Sequence, residues 1–196
     1  MWYVSYGAAG SGAQSGEFVQ IHRQALVRFT PEQMFDLVND VEAYPRRFAW
    51  CLGARVSEHD GGHLVARLDL RFAGVTQHFS TRNMLDRPRS IKMQFVDGPF
   101  NWLHGEWTFT PLGGLPPSGP SGHHGALGHG RQLPQAGEGK IEQPAAAVAP
   151  LGCKVALDLD FEVSNRLTGF AFKLGFQKLA DRMVDDFSAE AKRTYA

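Results

Sequence analysis

Cysteine is nearly missing from this chain of 196 residues: only Cys51 and Cys153 are present. Two thiols make a poor disulfide framework, which excludes a small cross-linked extracellular scaffold and predicts reduced thiols. Net charge is missing too, because twenty basic and twenty acidic residues cancel. No global field therefore draws the protein to nucleic acid or anionic lipid, and no DNA partner is expected. No apolar run approaches the ~20 residues that span a bilayer. The first residues lack the basic and apolar regions of a signal peptide, so a cytoplasmic location is expected. Tyrosine is scarce beside phenylalanine, four against fourteen, which suits an interior of purely apolar rings.

Catalytic patterns are equally thin. Neither a Gly-x-Ser-x-Gly elbow nor a phosphate-binding glycine loop occurs. Asp158, Asp160 and Glu162 alternate with apolar residues, so they share the solvent side of a strand rather than pairing in a cleft. His123, His124 and His129 match no rigid zinc spacing, and His59 and His63 flank a Gly-Gly turn. Cys51 follows Trp50 with no obvious base and reads as a buried thiol. The expectation is a protein that is not an enzyme, with no metal and no cofactor.

What is present is a patterned α+β chain. Residues 1–17 read as a disordered tail before a single domain, 18–196. Phe18–Phe29 reads as a strand, and Thr30 caps a helix with Pro31 at its first position. Asn39-Asp40 interrupts that helix, and Val41–Tyr44 reads as a second short one stopped by Pro45. Strands of period two follow over Cys51–Glu58, Leu64–Phe72, Val75–Met84, Ser90–Val96, Phe100–Thr110 and Val155–Val163. Between them, at about 113–150, Gly, Pro and Ala dominate. Such a segment cannot offset its ordering entropy by burial and reads as a disordered insertion in the last hairpin. Asn165–Tyr195 closes the chain as a long helix, with Ser164 or Asn165 as its cap. Phe172, Phe176, Leu179, Met183 and Phe187 recur along it at helical spacing. The expected architecture is a curved antiparallel sheet of about seven strands gripping that helix, with two short helices after the first strand.

Strand parity turns Leu68, Leu70, Phe72, Phe79, Met93, Phe95, Leu103, Trp107, Leu159 and Phe161 inward. Phe172, Phe176 and Met183 face them from the helix, and Thr81 and Asn83 bring polar groups to one end. A buried amide must bond backbone, water or a ligand. These residues build either a solid core or the wall of a cavity, and periodicity does not separate the two. Gly169 and Gly175 each cost the helix ~1 kcal/mol relative to alanine, which asks for close packing or room for a ligand. Leu167, Phe170 and Leu174 make the first half of the helix apolar on a second side. They either pack on the Tyr44–Trp50 segment or form a cavity rim with Tyr44, Pro45, Phe48 and Trp50. Arg82, Arg87 and Arg89 offer a local basic patch.

Four segments carry a resemblance to a known family. Leu37-Val38-Asn39-Asp40-Val41-Glu42-Ala43-Tyr44-Pro45 resembles the signature of the START-like coenzyme-Q-binding proteins and their bacterial RatA relatives. Val96-Asp97-Gly98-Pro99-Phe100, Trp107-Thr108-Phe109-Thr110-Pro111 and Leu159-Asp160-Phe161-Glu162 agree in order and spacing. The resemblance covers about Val19 to Tyr195 without the insertion. It implies the helix-grip fold of the polyketide cyclase-like superfamily, with a hydrophobic cavity. Ubiquinone or a related isoprenoid lipid is the implied ligand, bound in support of respiration rather than used as a redox cofactor. A lipid of that kind adds a transient contact with the inner membrane surface. The RatA branch implies an alternative: a toxin that binds the large ribosomal subunit and blocks subunit association, with the arginine patch as its contact. The chain departs from the family after Pro45, where Arg46-Arg47-Phe48-Ala49-Trp50 replaces an apolar Phe-Leu-Pro and alters the expected rim.

Overall fold

The computed structural model describes residues 18–72, 74–113, 150–164 and 169–196, apart from the side chains of residues 72, 75 and 169–171. The expected tail, residues 114–149 of the expected insertion, its three histidines and the expected helix start at 165–168 lie outside the described residues.

The elements run β1 (Val19–Val27), α1 (Pro31–Asn39), a 3-10 turn (Val41–Ala43), α2 (Tyr44–Arg47), then β2 (Cys51–Asp60) and β3 (His63–Phe72). They continue with β4 (Val75–Asp86), β5 (Ser90–Asp97), β6 (Phe100–Leu112), β7 (Gly152–Val163) and α3 (Gly169–Tyr195). The strands form one antiparallel sheet in the order β1-β7-β6-β5-β4-β3-β2. Register shifts within the β2–β3, β4–β5 and β6–β7 ladders mark bulges, which bend strands and curve the sheet. The long helix α3 lies on the sheet's inner face, with contacts to β1, β7, β3 and α1. Among the described residues no helix is long and apolar enough to cross a membrane.

Local chemistry explains the joints. Thr30 Oγ1 accepts from the Gln33 amide at 3.2 Å, and Gln33 Oε1 accepts from the Thr30 amide at 2.8 Å. That reciprocal box contributes about 1 kcal/mol to starting α1. Pro45 corrects the sequence reading: it sits in the first turn of α2, where its missing N–H costs nothing, instead of stopping a helix. The cap expected at Ser164 or Asn165 concerns a helix start outside the described residues, and the described contacts of Ser164 are with the β5–β6 turn. The Ser164 hydroxyl and amide both donate to the Pro99 carbonyl, at 3.0 and 2.9 Å, tying the end of β7 to that turn.

That turn gives Asp97-Gly98-Pro99-Phe100 its physical content. Gly98 has φ +135°, and a Cβ there would stand 2.6 Å from the Cβ of Phe79. Only glycine lets the turn lie this close to β4. Phe100 then enters the core and meets the rings of Phe79, Phe95, Phe161, Phe172 and Phe176 at 5.0 to 5.9 Å. Edge-on contacts of this kind hold the sheet to the first half of α3. At the far end of β6, Leu112 pairs with Gly152, and the Leu151 amide donates to the Leu112 carbonyl at 3.0 Å. The last hairpin is thus closed on both sides of the segment it interrupts.

Candidate functional site

Three spaces flank α3: one inside against the sheet, one outside beside α2, and one outside against the end of β1, where Ala25, Leu26 and Phe29 face Asp185, Ser188 and Lys192. The inner space lies between the sheet and α3 and measures about 60 Å³. Of the residues expected to line it, Leu68, Phe79, Thr81, Asn83, Met93, Leu103, Trp107, Leu159, Phe176 and Met183 do so. Leu70, Phe161 and Phe172 are buried in the core outside its walls, and half-buried Phe95 packs on the core beside Phe100. The side chain of Phe72 lies outside the described residues. Sequence parity missed Val38, Asn39, Val41, Ala66, Ile91, Leu157 and Phe187. Several of these come from α1 and the turn after it, whose approach to the sheet no strand alternation reveals.

Ligand pockets for small molecules usually enclose ~300–1,000 Å³. A space of 60 Å³ holds a few waters, not an isoprenoid chain, while its side chains keep these positions. Its one described polar pair is Thr81 Oγ1 donating to Asn83 Oδ1 at 2.8 Å, with both residues buried. Among the described lining residues Tyr44 is the sole ionisable side chain. Burial raises its pKa, and its hydroxyl donates to the Val38 carbonyl at 2.5 Å. A general acid or base for interior chemistry is therefore absent among the described lining residues.

The expected rim is dispersed. Tyr44 forms part of the cavity wall, with its ring against Phe48, Trp50 and Phe187. Pro45 is half-buried in α2, whereas Leu174 is 42% exposed on α3. Leu167 and the side chain of Phe170 lie outside the described residues. Phe48 and Trp50 face the other side of α3, where they stack at 4.9 Å and 6° on the floor of an outer groove.

That groove measures about 510 Å³ and runs between Arg47–Trp50 and one stripe of α3. Gly175, Lys178, Arg182, Asp186, Ala189 and Arg193 recur every three or four residues along the helix, so they share that stripe. Gly175 and Ala189, with Ala49 opposite, leave the space open because they carry so little side chain. Gly175 thus lies on the outer groove. Arg47 and Arg71 complete the lining. Asp186, the lining's one carboxylate, accepts from Trp50 Nε1 at 3.0 Å and from Arg182 at 3.1 Å. Arg47 pairs with Asp40 at 2.8 Å, and Arg193 with Glu190 at 2.5 Å. Arg71 and Lys178 are exposed and have no ion-pair partner among the described residues.

The patch read from sequence is different. Arg87 grips Asp36 with two nitrogens at 3.0 and 2.8 Å, and Arg89 grips Asp86 at 2.9 and 2.6 Å. Arg82 lies 3.7 Å from Glu58. Each of the three arginines has its own carboxylate, so this patch carries no excess charge. Cys51 and Cys153 are both buried free thiols. Burial pushes their pKa values up, to about 11 and about 12.

Seven antiparallel strands gripping one long helix, with two short helices after β1, define the helix-grip architecture of START-like proteins. Residues 27–188 match the polyketide cyclase / dehydrase and lipid transport family, and the chain belongs to that family. It is 37% identical over 177 residues to the ribosome association toxin RatA of Escherichia coli, covering 90% of this chain and 89% of that protein. It is 28% identical over 100 residues to coenzyme Q-binding protein COQ10 homolog B of Xenopus laevis, covering 50% of this chain and 41% of that one. The fold resembles the Zhui aromatase/cyclase from a Streptomyces species, with TM-score 0.62, 15% identity, and 92% and 97% of the two chains covered. A START superfamily protein from Mycobacterium smegmatis gives TM-score 0.61 at 16% identity, with 89% and 97% covered.

Proposed function

We propose that this protein is a non-catalytic ribosome-association factor that binds the large ribosomal subunit and hinders subunit joining. One geometric observation carries the choice between interior and surface work. The inner space is about 60 Å³ and its described walls hold no carboxylate, imidazole or amine, so ligand storage and cyclase chemistry have little support there. The outer surface, by contrast, carries an open groove with uncompensated cations. Similarity over nine-tenths of the chain to a protein named for ribosome association supports the same reading. Sedimentation of the purified protein with isolated subunits tests it. The protein should travel with the large subunit and reduce the yield of joined ribosomes. A protein that stays at the top of the gradient at low salt would sink the proposal.

A second reading, binding of an isoprenoid quinone, has one specific observation behind it. The Thr81–Asn83 pair places hydrogen-bonding groups inside a mostly apolar wall, as a quinone carbonyl would require. Each buried methylene of a tail would contribute ~0.8 kcal/mol. The space would first have to widen about fivefold to reach the usual pocket range. Native mass spectrometry of protein from its own host decides: a quinone adduct supports this reading, and a bare mass removes it.

A further inference from the structure

We propose that the groove between α2 and α3 takes an RNA strand, held by its phosphates. This deepens the ribosome-association reading and rests on it, since it names which ribosomal component the protein grips.

The charge count comes first. Arg47, Arg71, Lys178, Arg182 and Arg193 line the groove, and the carboxylates paired with them are Asp40, Asp186 and Glu190. Five cations against three carboxylates leave two positive charges, and these sit on Arg71 and Lys178. The whole chain is neutral, so this local excess is a property of the fold and not of composition. Asp186 is engaged at both oxygens, one taking the Trp50 indole and the other Arg182.

Shape then selects among anions. From Gly175 to Arg193 the helix wall extends roughly 27 Å at 1.5 Å per residue. Its cations stand in a line on that wall, with Arg47 and Arg71 on the other side. A nucleic-acid strand carries one charge per nucleotide along a line and fits such a trough. A folded acidic protein presents its carboxylates on a convex surface and would reach only the rim. Guanidinium forks suit phosphate oxygens, and four of the five cations are arginines. Phe48 and Trp50 are buried to 4% and 8% exposure, so they give a stiff floor and not a stacking platform. Binding through phosphates alone carries no base readout, so the groove tolerates many sequences.

The test uses the full chain and a fluorescein-labelled single-stranded RNA of mixed sequence, with anisotropy read from about 50 to 200 mM salt. Each phosphate neutralised on a single strand contributes about −0.7 to the slope of log K against log salt. Two to five contacts therefore predict a slope of roughly −1.4 to −3.5. Arg71→Glu with Lys178→Glu should weaken binding at least tenfold. Arg71→Gln with Lys178→Gln should flatten the slope by about 1.4, and serves if the reversed pair fails to fold. Arg82→Glu with Arg89→Glu should stay within twofold of the parent. Equal weakening by that control pair, or none by the groove pairs, overturns the proposal. If the groove pair abolishes co-sedimentation with the large subunit while the parent ignores RNA, the groove docks a ribosomal protein. The RNA proposal then fails and the ribosome reading stands. If the parent binds RNA in the groove but never sediments with subunits, the ribosome reading fails instead. A change in the protein's own sedimentation on reversing Arg71 and Lys178 would assign the groove to a second copy, and would also overturn the proposal.

Discussion

Phe176 and Lys178 stand two positions apart on α3, yet one closes the interior and the other lines the outer groove. The inner side is apolar, ring-packed and almost full. The outer side is cationic and open because glycine and alanine hold positions where larger residues would fill it. One helix thus does two jobs, and its 3.6-residue period keeps them on separate stripes. The lesson is that one helix can border both an interior and a surface space, and here the two differ in both volume and charge.

The largest effect should come from emptying the inner side. Phe176 is 1% exposed and its ring meets those of Phe79, Phe100, Phe161 and Phe172. Phe176→Ala should cost about 3–5 kcal/mol, read from urea unfolding. A loss below ~1 kcal/mol would mean that the interior collapses easily and is less rigid than its geometry indicates. Next comes the polar pair. Thr81→Val leaves the buried Asn83 carbonyl without its hydroxyl donor and should cost about 1–3 kcal/mol. An unchanged melt would mean that water takes the hydroxyl's place, and so that the small cavity is wet.

A pH series separates the sides further. The thiols of Cys51 and Cys153 rise from an ordinary 9.0 to about 11 and about 12 through burial. Above pH 9 the unfolded chain ionises its thiols while the folded one keeps them protonated, so the unfolded state gains. Stability present below pH 9 should therefore fall as pH rises through 11 to 12. The urea midpoint should drop between about pH 8 and pH 10.5, and Cys51→Ala with Cys153→Ala should make that drop shallower. A drop that is as steep without the thiols would place its cause elsewhere. The smallest effect belongs to the groove. Arg71→Gln with Lys178→Gln should move stability by no more than about 0.5 kcal/mol, because both side chains are exposed and unpaired. Destabilisation beyond 1–2 kcal/mol would make them structural, and the contrast between the two stripes would lose its meaning.

The sequence made much of the inner side legible. Period two in β3 to β7 and the Phe172–Phe187 spacing each report a face directly, so ten of the expected wall residues meet there. It did not report how far those faces would approach, because a void is a property of packing and not of pattern. Leu70, Phe161 and Phe172 have the right parity and still sit outside the walls. The groove was hidden for another reason. Arg47, Arg71 and Lys178 come from α2, β3 and α3, and only folding brings them together. Arg82, Arg87 and Arg89 looked basic because they are close in sequence, whereas Glu58 and Asp36, which neutralise Arg82 and Arg87, lie on other elements, and only Arg89 has its partner, Asp86, within the window. Ion pairing between distant residues cannot be read from a composition window.

The closed rung at Leu112 and Gly152 makes the last hairpin a natural port for added sequence. The backbone ladder there runs to its end, where the Leu151 amide donates to the Leu112 carbonyl. Doubling the length of a flexible connection costs only about 0.6 kcal/mol in closure entropy. A reporter, an affinity handle or a cross-linker could therefore be spliced in at that point, with the interior and the groove serving as internal controls for each other.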